Sequence, residues 1–193
     1  LSTGYVMASG NAMVHIRKHS TVKRLFQDLI EDGLLTPEVV EIIERKIAAG
    51  ESFLLCGPSG SGKTTVLNAM IEKIPRSKAI FCVQESEELF TNENREFCSY
   101  IIRVAKGEGK VNYSLDVIAT NGLLVDTDVY MIGEIKGSEA RDFFTAAYTG
   151  AQCMGTLHAN SARDAFKRLA DLIKRTTDYT TSEIEYMLRT LKN

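Results

Sequence analysis

The residues Gly57-Pro58-Ser59-Gly60-Ser61-Gly62-Lys63-Thr64 set glycines, a lysine and a hydroxyl in the order G-x-x-x-x-G-K-[ST]. Glycines at 57, 60 and 62 let the backbone curl so that successive N–H groups point inward at phosphate oxygens. The apolar run Phe53-Leu54-Leu55-Cys56 leads into this loop, and a helical pattern of Val66, Leu67, Met70 and Ile71 follows it over 64–74. A loop between strand and helix adds the positive end of the helix dipole to the amides. Lys63 then reaches the β and γ phosphates as a point charge, Thr64 offers its hydroxyl to Mg²⁺, and Thr65 completes the nucleotide-binding set. The loop reads as a grip for ATP with Mg²⁺. The plain alternative, a glycine-rich turn that binds nothing, does not account for a lysine and a threonine both in register.

A phosphate grip does not separate a hydrolase from a kinase or a nucleotide switch. Attack of water on the γ phosphate needs a carboxylate at the end of a neighbouring strand. Glu134 meets that need: it comes two residues after the run Val129-Tyr130-Met131-Ile132, and Gly133 beside it allows close approach of backbone to ligand. Its bland alternative is a solvated glutamate at a strand end. Two more polar clusters end apolar runs in the same way, Gln84-Glu85-Ser86-Glu87-Glu88 and Thr156-Leu157-His158-Ala159-Asn160. Ligands on parallel sheets collect at the carboxyl ends of strands, so Lys63, Glu85, Glu134 and His158 are expected to meet in one crevice. Taken singly each is weak, and a lone histidine after a strand is more often a structural hydrogen-bonder than a γ-phosphate sensor.

The elements that must position these residues alternate. Thr36-Pro37-Glu38 gives a cap, a proline at the first helical position and an acid in the first turn, and Gly50 stops that helix. Strands are expected at 53–56, 79–83 and 129–132, and helices at 64–74, 138–148, 161–175 and from about 180 to 191. Capping-box spacing from Ser161 to Asp164 and from Thr180 to Glu183 marks the last two helices. Residues 5–16 read as one or two short strands. Alternation of this kind implies an α/β fold, a mainly parallel sheet with helices on both faces. With 193 residues, 44% hydrophobic, one core is expected, and a net charge of -2 argues against binding nucleic acid or an anionic membrane through bulk charge. Cys56, Cys82, Cys98 and Cys153 have no metal-ligand spacing and read as reduced core residues. No apolar run has the length to cross a bilayer and no signal segment opens the chain. Opening on Leu1 rather than Met, the chain reads as a fragment.

Four blocks in order resemble the ATPases of bacterial type II and type IV secretion, type IV pilus and conjugation systems. Gly57 to Thr64 is similar to their Walker A loop, Val83 to Leu89 to their Asp box, Met131 to Ala140 to their Walker B segment, and Thr149 to Ala162 to their His box; Ile16-Arg17-Lys18 resembles their interdomain link. The resemblance implies a RecA-like P-loop NTPase domain over 36–193, preceded over 1–35 by the remnant of an N-terminal domain and linker. It further implies a homo-hexameric, cytoplasmic ATPase docked on an inner-membrane platform protein, with Glu134 polarising water and Glu85 and Glu88 holding Mg²⁺ or the water network. By the same resemblance His158 senses the γ phosphate, and Arg17, with Arg95 or Arg103 across a subunit border, neutralises charge.

Departures accompany the match. Gln84 stands where the Asp box has the first of two acids, Leu124, Thr127-Asp128 and Lys136 replace the arginines and proline around the Walker B strand, and Ala151 replaces the first histidine of the His box. A lysine keeps the charge of an arginine and loses its bidentate geometry. The expectation is a divergent ATPase motor, with a nucleotide-dependent scaffold of little turnover, or a small P-loop kinase, as alternatives.

Overall fold

The computed structural model describes residues 22–91, 97–101 and 113–190. The strands expected over 5–16, Arg17, Arg95 and Arg103 lie outside them. Among the described residues five strands, β1 (Phe53–Gly57), β2 (Ile80–Gln84), β3 (Phe97–Ile101), β4 (Val129–Ile135) and β5 (Gln152–His158), form one sheet in the order β1-β5-β4-β2-β3, every pair parallel. Seven helices among the described residues accompany it: α1 (Phe26–Glu31), α2 (Pro37–Ala48), α3 (Lys63–Ile71), α4 (Leu115–Gly122), α5 (Glu139–Tyr148), α6 (Ala162–Lys174) and α7 (Thr181–Thr190).

Side-chain alternation along the strands divides the core in two. Ile80, Cys82, Val129, Met131 and Met154 pack with α1, α2 and α3, whereas Phe81, Val83, Tyr130, Ile132, Cys153 and Leu157 pack with α4 to α7. Strands covered on both faces are apolar throughout, which is why β2 and β4 read as continuous hydrophobic runs. Burial raises the thiols of Cys82 and Cys153 to about 12, as expected of inert core cysteines. Before the expected boundary at 35, Phe26 and Leu29 of α1 already lie in the core beside α3.

The caps read from the sequence are present. Val39 N–H donates to Thr36 Oγ1 at 3.4 Å, Asp164 N–H to Ser161 Oγ at 3.1 Å, and Thr180 and Glu183 bond reciprocally, at 2.7 Å and 3.3 Å. Three differences from the expected elements stand out. The strand expected at 129–132 runs on through Gly133 and Glu134 to Ile135, so Glu134 lies within β4 rather than after it. The helix expected over 64–74 ends at Ile71. The elements α1, β3 and α4 have no counterpart in the sequence reading.

Candidate phosphate-binding active site

β1 delivers the chain to the phosphate loop. Gly60 and Gly62 adopt φ of 75° and 85°, a region that side-chain-bearing residues rarely enter. Gly62 is the N-cap of α3 and has no side chain to cap the helix, leaving its first N–H groups to a ligand. A Cβ on Gly57 would lie 2.6 Å from Ser61 Oγ, so the curl of the loop needs glycine there as well. Lys63 turns back over the loop and its Nζ donates to the carbonyls of Gly57 at 3.0 Å and Pro58 at 2.7 Å.

Beside β1, β5 pairs His158 with Gly57, so the histidine stands at the mouth of the loop. On the other side of β5, β4 slips in register: Ile132 pairs with Gly155 but Ile135 with Leu157. Gly133 and Glu134 together oppose Thr156, a β-bulge of the kind that re-aims a side chain next to a site. The Thr156 hydroxyl donates to the Gly133 carbonyl at 2.7 Å, satisfying a group at the bulge. A Cβ on Gly133 would lie 3.1 Å from the Cβ of Gln84, so glycine is what admits the buried Gln84 at this point. The result is a close polar contact, His158 Nε2 to Glu134 Oε1 at 2.9 Å.

After β2, Glu85 pairs with Lys136 at 2.5 Å, and the carboxylate holds the lysine ammonium above its ordinary range. Lys136 in turn leaves β4 through a turn whose N–H groups, those of Lys136 and Gly137, donate to the buried Glu139 carboxylate at 2.5 and 2.7 Å. The role of Glu139 escapes a reading of the sequence by strand ends, although its place in Gly133-Glu134-Ile135-Lys136-Gly137-Ser138-Glu139-Ala140 signals it.

A cleft of about 440 Å³ joins these groups. Ser59, Gly60, Ser61, Gly62, Lys63, Thr64 and Thr65 line it from the loop, Glu85 and Glu88 from the turn after β2, and Glu134 and His158 from β4 and β5. Lys63, Glu85, Glu134 and His158 line this one cleft, Thr156 of the cluster ending β5 lines it with them, and Asn68 joins without having been singled out in the sequence. Two departures lie elsewhere. Ala151 precedes β5 at the opposite end of the strands, in a depression shared with Asp128 and Gly50. Asp128 accepts the Ala79 N–H at 2.9 Å and so ties the start of β4 to that of β2.

A family model described as Type II/IV secretion system protein matches residues 7–190. The chain belongs to this family. A putative conjugal transfer protein of Mycobacterium tuberculosis is 29% identical over 141 residues, 72% of this chain and 40% of the relative. The type IV secretion system protein VirB11 of Brucella suis is 24% identical over an alignment of 188 residues, 85% of this chain and 52% of the relative. The chain thus spans about half the length of these type II/IV secretion relatives or less. Among solved structures, the VirB11 ATPase of Brucella suis in complex with sulphate superposes with a TM-score of 0.70 at 21% identity, covering 91% of this chain and 58% of that one. The pilus retraction motor PilT with bound ADP gives 0.65 at 24% identity, covering 91% and 48%. These likenesses show the RecA-like α/β fold of the secretion family. No helix among the described residues is long and apolar enough to cross a membrane.

Proposed function

We propose that this chain binds ATP with Mg²⁺ and hydrolyses it, as the motor domain of a secretion, pilus or conjugation machine. The observation that carries the proposal is the placing of the Glu134 carboxylate, on a bulge of β4 and paired with His158, across one cleft from Lys63 and Thr64. Lys63 bonds two neutral carbonyls, and phosphate oxygens are the stronger, charged acceptors for the same ammonium. The loop amides and the uncapped start of α3 add a fixed positive field at no cost of reorganisation. Glu134 orients the attacking water and takes part of its proton, and His158 holds the carboxylate in place until a γ phosphate competes for the imidazole.

The donor set suits a nucleotide-borne Mg²⁺. That ion keeps several waters and takes one or two protein oxygens with the substrate phosphates. The Thr64 hydroxyl would supply one, with Glu85 or Glu88 ordering its waters. Among the described residues no group of three or more His, Cys, Asp or Glu could hold a metal by itself. The ion would supply charge neutralisation at the phosphates.

A homo-hexamer, an arginine contributed by Arg17, Arg95 or Arg103, and docking on an inner-membrane platform protein at the inner face of the cytoplasmic membrane belong to the same proposal. They rest on the family. A scaffold of low turnover is the second reading, favoured by the engagement of Glu85 with Lys136. Phosphate released from ATP with no added acceptor supports the hydrolase and excludes the kinase. Nucleotide bound without release supports the scaffold.

A further inference from the structure

The turn that carries Glu85 and Glu88 into the cleft is held by side chains reaching in from three other places. The N–H groups of Glu88 and Leu89 donate to Gln84 Oε1 at 2.9 and 2.7 Å, and Gln84 Nε2 donates to the Leu89 carbonyl at 2.9 Å. From α3, Asn68 Nδ2 donates to the Glu88 carbonyl at 3.0 Å and Asn68 Oδ1 accepts the Phe90 N–H at 3.3 Å. Lys23 donates to the Phe90 carbonyl and also pairs with Glu72 of the turn after α3. Every backbone N–H and C=O from Glu88 to Phe90 thus has a side-chain partner, and the Glu88 N–H is shared with the Ser86 carbonyl at 2.8 Å.

Two of the three side chains are carboxamides, and the geometry demands it. Each donates through nitrogen and accepts through oxygen in the same turn, which a carboxylate cannot do. An acid at 84 would set its charge against the Leu89 carbonyl, and an acid at 68 against that of Glu88. Gln84, 2% exposed, is therefore no gap in the acidic set of the cleft. Asn68 stands on the helix that begins at Lys63, so the same clamp fastens the acidic turn to the phosphate loop.

We infer that Gln84 and Asn68 are positioning residues whose carboxamides fix Glu85 and Glu88 relative to Thr64. The inference rests on the ATPase reading for its effect on turnover, and on geometry alone for the clamp. Amide hydrogen exchange and steady-state kinetics test the two parts separately in Gln84→Met, Gln84→Glu and Asn68→Leu. Loss of one hydrogen bond corresponds to about tenfold faster exchange, expected at Leu89 in Gln84→Met and at Phe90 in Asn68→Leu, with β4 amides unchanged. Both variants are expected to lower kcat about tenfold while KM for ATP moves less than about threefold, and Gln84→Glu, which keeps the acceptor but turns a buried charge on the Leu89 carbonyl, is expected to fall at least as far as Gln84→Met. Unchanged exchange at 88–90 overturns the clamp. Faster exchange with unchanged kcat overturns positioning. A wild-type protein that releases no phosphate overturns the reading of the site, and the exchange data then still decide the clamp.

Discussion

His158 Nε2 lies 2.9 Å from Glu134 Oε1, joining the ends of two adjacent parallel strands across a register slip. Without the slip at Gly133-Glu134 the pleat would turn Glu134 to the other face of the sheet. The pair orients the carboxylate while leaving both groups about one-third exposed in the cleft. In His158→Ala the carboxylate loses its orienting donor, and phosphate release is expected to fall by about 10²-fold. His158→Asn, which keeps an N–H donor, is expected to retain more of the rate. Equal activity of His158→Ala and wild type in a phosphate-release assay would show that the histidine plays no part.

The bulge itself is testable through Thr156. Its hydroxyl is nearly fully buried and donates to the Gly133 carbonyl at 2.7 Å. Thr156→Val preserves shape and leaves that carbonyl without this partner, a change expected to cost about 1–3 kcal/mol. For a domain of this size that lowers Tm by roughly 2–4 °C for each kcal/mol. Calorimetry should show this drop together with a loss of kcat, because Glu134 rides on the same bulge.

Packing on the far face gives a prediction independent of the cleft. A Cβ on Gly122, the last residue of α4, would come within 2.2 Å of Phe81 Cε1, and that ring is stacked on Tyr130 at 5.7 Å. Gly122→Ala is expected to destabilise the protein by about 1–3 kcal/mol, read as a lowered midpoint of denaturation. Nucleotide affinity at temperatures where the protein stays folded should be unchanged.

Glu85 raises the pKa of Lys136, and the sign of the pH dependence follows. A cation whose folded pKa lies above its unfolded value contributes its full stability below the ordinary lysine value of about 10.4, and loses it as pH rises through the folded value. Both side chains are about four-tenths exposed, so the contribution is at most about 1 kcal/mol. Glu85→Gln should bring the Lys136 titration, followed by NMR, back toward the ordinary value. The stability difference between wild type and Lys136→Met should be flat near neutrality and shrink on the alkaline side.

The phosphate loop and the helix at Pro37–Ala48 were legible because their signals are local: glycine spacing in one, cap and proline in the other. Convergence of Lys63, Glu85, Glu134 and His158 was legible because a parallel sheet gathers the ends of its strands. The extension of β4 was not, since Gly133 interrupts the apolar run and only Thr156, more than twenty residues on, makes the bulge favourable. Nor was α4, whose Thr120, Asn121 and Gly122 are poor helix formers; Leu115, Ile118 and Ala119 win by packing into the core with Phe81 and Tyr130. Gln84 looked like a missing acid because its bonding partners are backbone groups that only the folded turn brings within reach. Ala151, read as the departure in the His box, lies just before β5, at the end of the strand away from the cleft.

The central claim, that Glu134 drives hydrolysis at a site whose grip on ATP belongs to Lys63 and its loop, is tested most directly by Glu134→Gln. Nucleotide affinity and phosphate release are measured on the same preparation, with Lys63→Ala as the reference for lost binding. The expected result is affinity for ATP within about threefold of wild type and phosphate release lowered by about 10²-fold or more, whereas Lys63→Ala loses binding itself. Phosphate release by Glu134→Gln at the wild-type rate, or loss of ATP binding in a folded Glu134→Gln protein, would contradict it.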